Sequence, residues 1–357
     1  MRIIATHLLN DYSGSPKVLM QLLNGFTKKN IETHLFTSGN RDGFLSNINK
    51  IKYHYFTYLF SNNKFLRLLY LINSQIVLFI KLAFFLKKTD IVYINTVLPF
   101  GAAIIAKIKG CRVIYHIHET SMKPKILKYF LFKTASICAD EVIYVSNFIA
   151  QKEPLNVKKS VLYNVLEKTF VEKANRGNKL VKTDKIVLMI CSLKKYKGVD
   201  EFLALAKMNP EYTFKLVVNA PQIAIDNYFK NEEIPNNLLI FPTQKNTHPF
   251  YEEASVLLNL SDVNLWLETF GLTILEGMAY GLPAIVPSSG GVIELVEEGK
   301  NGFLTDSKNL IKISTQLQLL LSNEHLYQSM RQSALEKSKF FCEEYFESES
   351  IRLISKI

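Results

Sequence analysis

The chain has 357 residues, 48% of them apolar and 21% charged, which is enough for two buried cores and excludes a disordered chain. The four cysteines lie far apart and form no Cys-x-x-Cys pair, so we interpret them as reduced core residues and not as a disulfide or zinc framework. The net charge of +11 suits a nucleic acid or an anionic membrane as partner, but no nucleic-acid-binding motif is present.

Short apolar or β-branched runs alternate with helical segments in the first half of the chain. Strands are predicted over 2–6, 32–37, 91–95, 112–116 and 141–146. A polar loop over 10–15 precedes a helix from Pro16 to about Phe26, with proline in the favoured first turn. This alternation predicts a parallel sheet with helices on both faces.

The most apolar helical stretch covers residues 65–86 and is nearly long enough to span a bilayer. Polar residues interrupt it, which favours an interfacial helix over a spanning one: Arg67, Asn73, Ser74, Gln75 and Lys81. A buried core helix explains the same stretch equally well. Residues 123–133 form a second patch in which lysines alternate with large apolar side chains. The two patches together favour a peripheral membrane surface.

A second series of strands and helices follows a polar stretch. Residues 167–185 are predicted to form a linker, because they are polar and contain Arg176-Gly177-Asn178. Strands are predicted over 186–191, 213–218, 238–241, 256–260 and 284–286, and one or two helices over 336–357. The whole pattern predicts two doubly wound α/β domains, whose ligands bind beyond the carboxyl ends of the strands.

Two glutamates in the second half bracket a predicted helix start. Glu276 lies on an apolar helix-forming run, and Glu268 lies just before the run begins. A helix opened by Phe270-Gly271 presents free backbone N–H groups and a positive dipole end, which is a site for an anion such as phosphate. Two carboxylates beside a phosphate site indicate a ligand with hydroxyls on both sides of its phosphates. A nucleotide sugar has that shape.

The Glu-x7-Glu pattern at 268–276 resembles the signature of retaining GT-B glycosyltransferases of the family 4 type. The segments 281–287, 290–296 and 299–304 resemble that family in order and spacing, so the second half carries most of the likeness. The resemblance implies two doubly wound Rossmann-like domains that face an interdomain cleft. It implies an acceptor-side domain over 1–166, completed by a C-terminal helix at about 341–357, and a nucleotide-sugar-binding domain over 167–340.

The resemblance also assigns roles around the helix start. Glu276 would accept two hydrogen bonds from a ribose diol, with a solvated surface glutamate as the alternative. Glu268 would lie at the hydroxyls and reacting carbon of the transferred sugar; the alternative is a glutamate favoured by the helix dipole. The backbone N–H groups of Phe270, Gly271 and Leu272 would meet the sugar and the diphosphate.

The leaving diphosphate needs positive charge. The sequence has no Asp-x-Asp motif, so we expect no metal and no cofactor, and a lysine with the helix N-terminus would stabilise the departing charge. Lys197 matches the phosphate-binding lysine of the family. Cys191-Ser192 stands where the family usually has Gly-Arg, so Lys194 or Lys195 would supply the second charge.

Four further candidates lie in the first half. The resemblance assigns His118 to contact with the donor sugar, while His116, on the same side of its strand, is expected to be a core residue. Glu119 would contact the acceptor. Gly14 and Ser15 belong to a loop similar to the glycine-rich loop of the family and would serve the donor and the acceptor respectively. A plain strand-to-helix turn is the alternative for this loop.

These features predict a retaining glycosyltransferase of hexosyl or N-acetylhexosaminyl type. It would move a sugar from a nucleotide-diphosphate sugar to a glycan or polyprenyl-linked acceptor in bacterial surface polysaccharide or O-antigen biosynthesis. No signal-peptide pattern begins the chain, so we expect a cytoplasmic protein peripheral to the inner membrane face, without nucleic acid. The alternatives are a sugar-nucleotide epimerase or hydrolase on the same fold, and a non-catalytic nucleotide-binding subunit.

Overall fold

The chain folds into two compact units. The computed structural model describes residues 1–39, 41–177 and 185–355. The first unit comprises Met1–Asn164 and Glu344–Ile357, and the second comprises Val165–Glu343. These divisions fall close to the boundaries predicted after residues 166 and 340.

Parallel strands form one sheet in each unit. The strands of the first sheet are Arg2–Thr6 (β1), Glu32–Ser38 (β2), Lys52–Phe56 (β3), Ile91–Asn95 (β4), Arg112–Ile117 (β5), Glu141–Tyr144 (β6) and Lys158–Val161 (β7). Those of the second sheet are Ile186–Cys191 (β8), Thr213–Val218 (β9), Leu238–Phe241 (β10), Val256–Leu258 (β11), Ala284–Val286 (β12) and Gly302–Leu304 (β13).

Helices connect the strands of both sheets. The helices up to the end of the first sheet are Gly14–Lys28 (α1), Lys64–Phe85 (α2), Phe100–Ile108 (α3), Lys125–Cys138 (α4) and Asn147–Lys152 (α5). The later ones are Lys168–Gly177 (α6), Val199–Met208 (α7), Gln222–Tyr228 (α8), His248–Glu253 (α9), Leu272–Ala279 (α10), Leu310–Ser322 (α11), Glu324–Ser338 (α12) and Glu343–Ser355 (α13).

Both sheets are doubly wound. The first has the strand order β3-β2-β1-β4-β5-β6-β7 and the second β10-β9-β8-β11-β12-β13. The direction of winding therefore reverses between β1 and β4 in one unit and between β8 and β11 in the other. Loops that leave these strands at their carboxyl ends border a crevice, which is where open α/β sheets bind ligands. The predicted fold class is confirmed.

The structure corrects three predictions of local structure. Strands β3, β7 and β13 were not predicted, and each lies at the edge of its sheet. Helix α6 occupies 10 residues of the predicted linker, because Ala174 is buried and Phe170 packs against His248 with ring centroids 4.4 Å apart. The remainder of that linker, 178–184, lies outside the described residues. Gly14 and Ser15 form the first turn of α1 instead of the predicted loop.

Helix α2 is buried along one stripe only, which distinguishes it from a core helix. Its buried residues follow helical spacing: Leu71, Ser74, Gln75, Leu78 and Leu82. This stripe packs on α3, where a Cβ on Gly101 would lie 2.3 Å from the carbonyl oxygen of Gln75. The opposite face exposes apolar side chains, of which Phe84 is 90% exposed. Within the described residues, α2 is the one helix long and apolar enough to cross a membrane.

The end of the chain packs on the first unit. The Arg112 guanidinium, at the start of β5, donates to the backbone carbonyls of Leu353, at 2.9 Å, and of Ile354 in α13. Glu347 pairs with Lys28 at the end of α1. Phe346 and Leu353 are buried, so α13 contributes to the core of this unit.

Candidate active site

Two loops meet at the winding reversal of the second sheet. The loop after β8 ends at Gly198, which has a left-handed φ of 81°, and a Cβ there would lie 2.3 Å from the carbonyl oxygen of Leu260. The backbone N–H of Asp262 donates to the carbonyl of Tyr196 at 2.9 Å. Only glycine permits this approach, so Gly198 fixes the loop after β8 against the loop after β11.

The two loops bring Lys197 and Glu268 into direct contact. The Lys197 ammonium donates to Oε1 of Glu268, and the Ser261 hydroxyl donates to the same oxygen at 3.0 Å. Burial alone would raise the pKa of Glu268. The charge of Lys197 and the hydrogen bonds from Lys197 and Ser261 outweigh burial, so the pKa lies below its usual value. Glu268 is therefore an ionised acceptor, and the side chains of the pair remain 14% and 18% exposed.

An aromatic wall borders this ion pair. The Trp266 ring stacks on Tyr196, with ring centroids 5.2 Å apart and planes inclined by 18°. The Lys197 ammonium lies 5.0 Å from the centroid of the Trp266 ring, within the range of a cation–π interaction. Lys197 is thus held between a carboxylate and the single tryptophan of the chain.

The predicted helix start is present as the N-terminus of α10. Gly271 precedes the helix with a φ of 103°, and no side chain caps the helix by a hydrogen bond. The first N–H groups of a helix have no intrahelical partner, so this end can bind an anion through its backbone and its dipole. The side chain of Phe270 is buried against Phe341, with ring centroids 5.6 Å apart.

Two glycines hold the segment in front of α10. The backbone N–H of Gly291 donates to the carbonyl of Glu268 at 2.6 Å. A Cβ on Gly291 would lie 2.1 Å from the carbonyl oxygen of Thr269, and one on Gly290 would lie 2.9 Å from that of Glu268. The motif noted at 290–296 therefore supports the loop that carries Glu268.

Glu276 lies on α10 and is 8% exposed. The hydroxyl of Tyr251 donates to its Oε2 at 2.7 Å. Burial and the Glu276 carboxylate raise the pKa of Tyr251 well above its usual value, so the hydroxyl keeps its proton and orients the carboxylate. Tyr251 stacks on Tyr280, with ring centroids 5.7 Å apart, which fixes its position in turn. The alternative of a solvated surface glutamate does not fit this burial.

The two remaining lysines after β8 differ from Lys197. Lys194 is exposed at the entry to the 3-10 turn Lys195–Lys197. The Lys195 ammonium lies 3.6 Å from a carboxylate oxygen of Asp200. Neither lysine shares the contact between Lys197 and Glu268, and the second positive charge expected beside Ser192 stays a prediction.

His118 lies just after β5 in the first unit and is 9% exposed. Its Nε2 is 2.9 Å from Oδ1 of Asn95, at the end of β4. The ring centroids of His118 and His116 are 4.3 Å apart, and Nδ1 of His116 is 2.8 Å from the Tyr93 hydroxyl. Burial lowers the pKa of His118 well below its usual value and that of His116 to about 3, so both imidazoles are neutral.

Glu119 and Ser15 contact the same edge of the first sheet. The Glu119 carboxylate accepts from the backbone N–H of His118 at 3.2 Å and of Val97 at 3.4 Å. Burial raises its pKa to about 7, although these hydrogen bonds favour the ionised form. The backbone carbonyl of Ser15 accepts from the Asn95 amide at 3.1 Å. Gly14, next to Ser15, begins α1.

Several residues that support the site were not predicted from the sequence. They are Tyr251, Ser261 and Trp266 in the second unit, and His7 and Asn95 in the first. Tyr251 and Trp266 contact Glu276 and Lys197 from a separate helix or loop, and Asn95 contacts His118 from a separate strand, so no local spacing could reveal them. Ser261 contacts Glu268 within one loop, and His7 contacts Asn95. The available signal was a polar residue at the end of a buried strand for Asn95 and directly after one for His7, since open α/β sheets bind ligands at that end.

Metal binding has no support among the side chains in the described ranges. Residues 1–39, 41–177 and 185–355 contain no group of three or more His, Cys, Asp or Glu side chains that could hold a metal ion. The independence of the reaction from metal stays a prediction.

Family models match both halves of the chain. The model described as "Glycosyltransferase Family 4" matches residues 12–152, and that described as "Glycosyl transferases group 1" matches residues 170–337. With two doubly wound units, the fold is that of the GT-B glycosyltransferases. The chain belongs to the glycosyltransferases of the family 4 type.

Named relatives and solved structures agree with this assignment. An uncharacterized glycosyltransferase of Haemophilus influenzae is 32% identical over 175 residues, covering 47% of each chain. N-acetyl-alpha-D-glucosaminyl L-malate synthase of Bacillus anthracis is 31% identical over 173 residues, covering 47% of this chain and 43% of that protein. The chain thus matches less than half the length of these relatives. Anabaena HepE, solved with UDP and glucose, has a TM-score of 0.80 at 17% identity over 99% of both chains.

Proposed function

We propose that this protein is a retaining glycosyltransferase that takes a hexosyl or N-acetylhexosaminyl group from a nucleotide-diphosphate sugar. The acceptor would be a glycan or a polyprenyl-linked glycan of bacterial surface polysaccharide, of which O-antigen is one kind. One observation carries the proposal: the uncapped N-terminus of α10 lies between Glu268, paired with Lys197, and the buried carboxylate of Glu276.

The second unit would bind the donor. Glu276, oriented by Tyr251, would accept hydrogen bonds from the ribose hydroxyls, which are strong because the carboxylate is charged. The N–H groups of Phe270, Gly271 and Leu272 would face the diphosphate and the sugar. Lys197 would bind a phosphate oxygen, with Lys194 as the candidate for a second charge.

Catalysis would rest on charge stabilisation and positioning. As the bond between the sugar and the diphosphate breaks, negative charge grows on the leaving phosphate oxygen. Lys197 and the positive end of α10 would stabilise that charge without rearrangement. The acceptor hydroxyl would attack from the face that the diphosphate leaves, and a phosphate oxygen would take its proton. This route retains the anomeric configuration and needs no protein nucleophile or metal.

Glu268 would lie at the transferred sugar, where an ionised carboxylate can accept hydrogen bonds from its hydroxyls. The roles of the first-unit residues follow from the family resemblance. His118 and Gly14 would serve the donor, and Glu119 and Ser15 would serve the acceptor. Neutral His118 suits contact with an uncharged sugar hydroxyl.

The first unit would contact the inner face of the cytoplasmic membrane. Its helices α2 and α4 expose large apolar side chains, including Phe84 at 90%, Ile126 at 83% and Tyr129 at 71%. Residues 64–138 contain 12 Lys and Arg against two acidic residues, Asp90 and Glu119. An apolar surface surrounded by positive charge is typical of proteins that bind anionic lipid interfaces.

Ligand binding tests the donor site. Purified full-length protein is heated with UDP, GDP, ADP and the corresponding sugars, and one nucleotide series should raise its stability, by about 2.7 kcal/mol at 100 times Kd. Glu276→Ala should weaken that nucleotide about 10- to 100-fold, since it removes charged hydrogen bonds. Glu324→Ala, which removes an exposed carboxylate of the same unit, should not. The donor site is wrong if no nucleotide stabilises the protein, or if Glu276→Ala binds as tightly as the wild type.

Product analysis tests the reaction. A polyprenyl-diphosphate glycan is incubated with the donor found above, and the linkage is determined by NMR. Transfer with retained configuration is expected. Consumption of the donor at an equal rate without acceptor would instead identify a hydrolase or epimerase. Binding without turnover under either condition would identify a nucleotide-binding subunit.

A further inference from the structure

A buried polar cluster joins four segments at the carboxyl edge of the first sheet. His7 follows β1, Asn95 ends β4, His118 follows β5, and the backbone of Ser15 belongs to α1. His7, Asn95 and His118 are 4%, 0% and 9% exposed. Hydrogen bonds in such surroundings are strong, and each donor must meet an acceptor, so the proton positions in this cluster can be worked out.

The contact with Ser15 determines the orientation of the Asn95 amide. Nδ2 of Asn95 lies 3.1 Å from the backbone carbonyl oxygen of Ser15. A carbonyl oxygen can only accept, so the amide group facing it must be the NH2 group. The reverse orientation would place two oxygens against each other. The same NH2 group lies 3.1 Å from Nδ1 of His7, and that nitrogen also lies 3.3 Å from the backbone carbonyl oxygen of Asn95, so the contact with Ser15 and not the one with His7 decides the amide orientation.

The amide orientation determines which nitrogen of His118 carries hydrogen. Oδ1 of Asn95 faces Nε2 of His118 at 2.9 Å, and an amide oxygen can only accept. Nε2 must therefore be protonated. Because burial keeps the ring neutral, Nδ1 has a lone pair and no hydrogen.

The neighbouring groups do not set this tautomer. His116 touches the His118 ring through its own ring, with planes inclined by 51°, and its Nδ1 pairs with the Tyr93 hydroxyl. Glu119 accepts from the backbone N–H of His118 and not from its ring. Among the described residues, Asn95 is the one hydrogen-bond partner of the His118 imidazole.

We propose that Asn95 is a positioning residue, which holds His118 as the Nε2–H tautomer and so makes Nδ1 an obligatory hydrogen-bond acceptor. Its consequence for ligand recognition rests on the proposed function: a ligand group that reaches Nδ1 must donate a hydrogen bond. A sugar hydroxyl or an amide N–H satisfies this condition, whereas an ionised phosphate oxygen does not. The opposite tautomer would reverse the preference, so this amide restricts which part of the donor His118 can recognise.

Nitrogen NMR of the full chain without ligand tests the assignment. The protein is labelled with 15N in its seven histidines, and long-range 1H–15N correlations are recorded at pH 7.5. His118→Gln identifies the His118 signals by their loss. The wild type should show a neutral Nε2–H ring for His118. A protonated Nδ1, or a doubly protonated ring, would overturn the proposal.

Two substitutions at Asn95 separate its role from packing. Asn95→Asp keeps an oxygen facing Nε2 and should keep hydrogen on that nitrogen, although its second oxygen replaces the NH2 group that faces Ser15. Asn95→Leu removes the acceptor and should produce the Nδ1–H form or a mixture, and an unchanged spectrum would contradict the proposal. Gln75→Leu removes another buried amide, bonded to the N–H of Gly101 at 3.1 Å, and should leave the His118 signals unchanged. If Asn95→Leu does not fold, the spectra of the wild type and of Asn95→Asp still show whether Nε2 of His118 carries hydrogen.

The result is independent of enzyme activity. No nucleotide sugar is present, so the tautomer assignment can fail while the protein transfers sugar. Equally, the donor site in the second unit can fail while Asn95 holds His118 as described.

Discussion

Lys197 has two partners of different kinds. Glu268 neutralises its charge, and Trp266 lies against its ammonium. A diphosphate would compete with Glu268 for the lysine, because both offer anionic oxygens. Binding of a nucleotide must therefore alter the surroundings of the indole ring, and Trp266 is the single tryptophan of the chain.

Fluorescence of Trp266 should report nucleotide binding. Titration with UDP, or with the nucleotide that stabilises the protein, should change the emission with a saturable curve. Lys197→Met should weaken binding roughly 10- to 100-fold, since a hydrogen bond to a charged group is worth about 1.5–3 kcal/mol. Lys195→Met, at an exposed neighbour, is the control. Equal affinities of Lys197→Met and the wild type, measured by calorimetry, would remove Lys197 from the site.

Glu119 should make the first unit less stable as the pH rises. Burial raises its pKa from the ordinary 4.5 to about 7, so between these values the folded state binds more protons than the unfolded state. Its contribution to the free energy of unfolding therefore falls from pH 4.5 to 7 and stays constant above, a loss of roughly 3 kcal/mol. Perturbed carboxyls of this kind gather at functional sites.

Urea unfolding of Glu119→Gln between pH 4.5 and 8 checks this expectation. The variant should gain stability over the wild type as the pH rises, up to about 3 kcal/mol near pH 8. Comparison of the two proteins cancels the contributions of the buried histidines. Glu32→Gln is the control: Lys52 and His34 lower the pKa of Glu32 to about 2, so its contribution changes only below about pH 4.5, and this variant should differ from the wild type by a nearly constant amount between pH 4.5 and 8. A difference that does not vary with pH would show that Glu119 is not perturbed.

At the scale of elements, the interior strands were predictable, whereas three of the four edge strands, β3, β7 and β13, were not; the fourth, β10, was. Strand β4 is buried at every position and forms a continuous apolar run, so the sequence identifies it with the observed bounds. Strands β3 and β7 are largely exposed, and their mixed residues resemble a loop. The polar composition of residues 167–185 predicts a linker, but α6 forms there because its tertiary contacts, such as Phe170 on His248, outweigh that composition.

The residues of the candidate site also fall into a group that the sequence identifies and a group that it does not. Glu268, Glu276 and Lys197 stand in local motifs with recognisable spacing, so the sequence could identify them. Tyr251 lies 25 positions from Glu276, and the two are joined only by folding. Positioning residues of this kind depend on tertiary contacts, which is why the structure was needed to find them.

Gly291→Ala should displace the loop that carries Glu268. The added Cβ would lie 2.1 Å from the carbonyl oxygen of Thr269, and backbone cannot yield as a flexible side chain can. We expect a loss of stability of about 1–3 kcal/mol and weaker nucleotide binding. Gly39→Ala, whose Cβ would meet Tyr55 at an ordinary 3.5 Å, is the matched control. Urea unfolding and calorimetry measure both effects, and unchanged binding would mean that the loop does not contact the nucleotide.

At the scale of the whole molecule, charge is divided between the two units. The first unit contains 24 Lys and Arg against 11 Asp and Glu, and the second contains 19 against 21. The net charge of +11 therefore originates in the first unit, which also carries the exposed apolar faces of α2 and α4. If the positive charge served only solubility, it would not need to lie in the same unit as the exposed apolar faces of α2 and α4.

Sedimentation with lipid vesicles tests the membrane surface. The full-length protein should bind vesicles containing phosphatidylglycerol more strongly than pure phosphatidylcholine, and less at 0.5 M salt, because salt screens exposed charges. The double variant Ile80→Ser/Phe84→Ser removes two exposed apolar side chains of α2 and should weaken binding at least about tenfold. Ile311→Ser changes a 74% exposed isoleucine of α11 and should have no effect. Equal binding by the double variant and the wild type would mean that α2 does not enter the interface, leaving its apolar face to a protein partner.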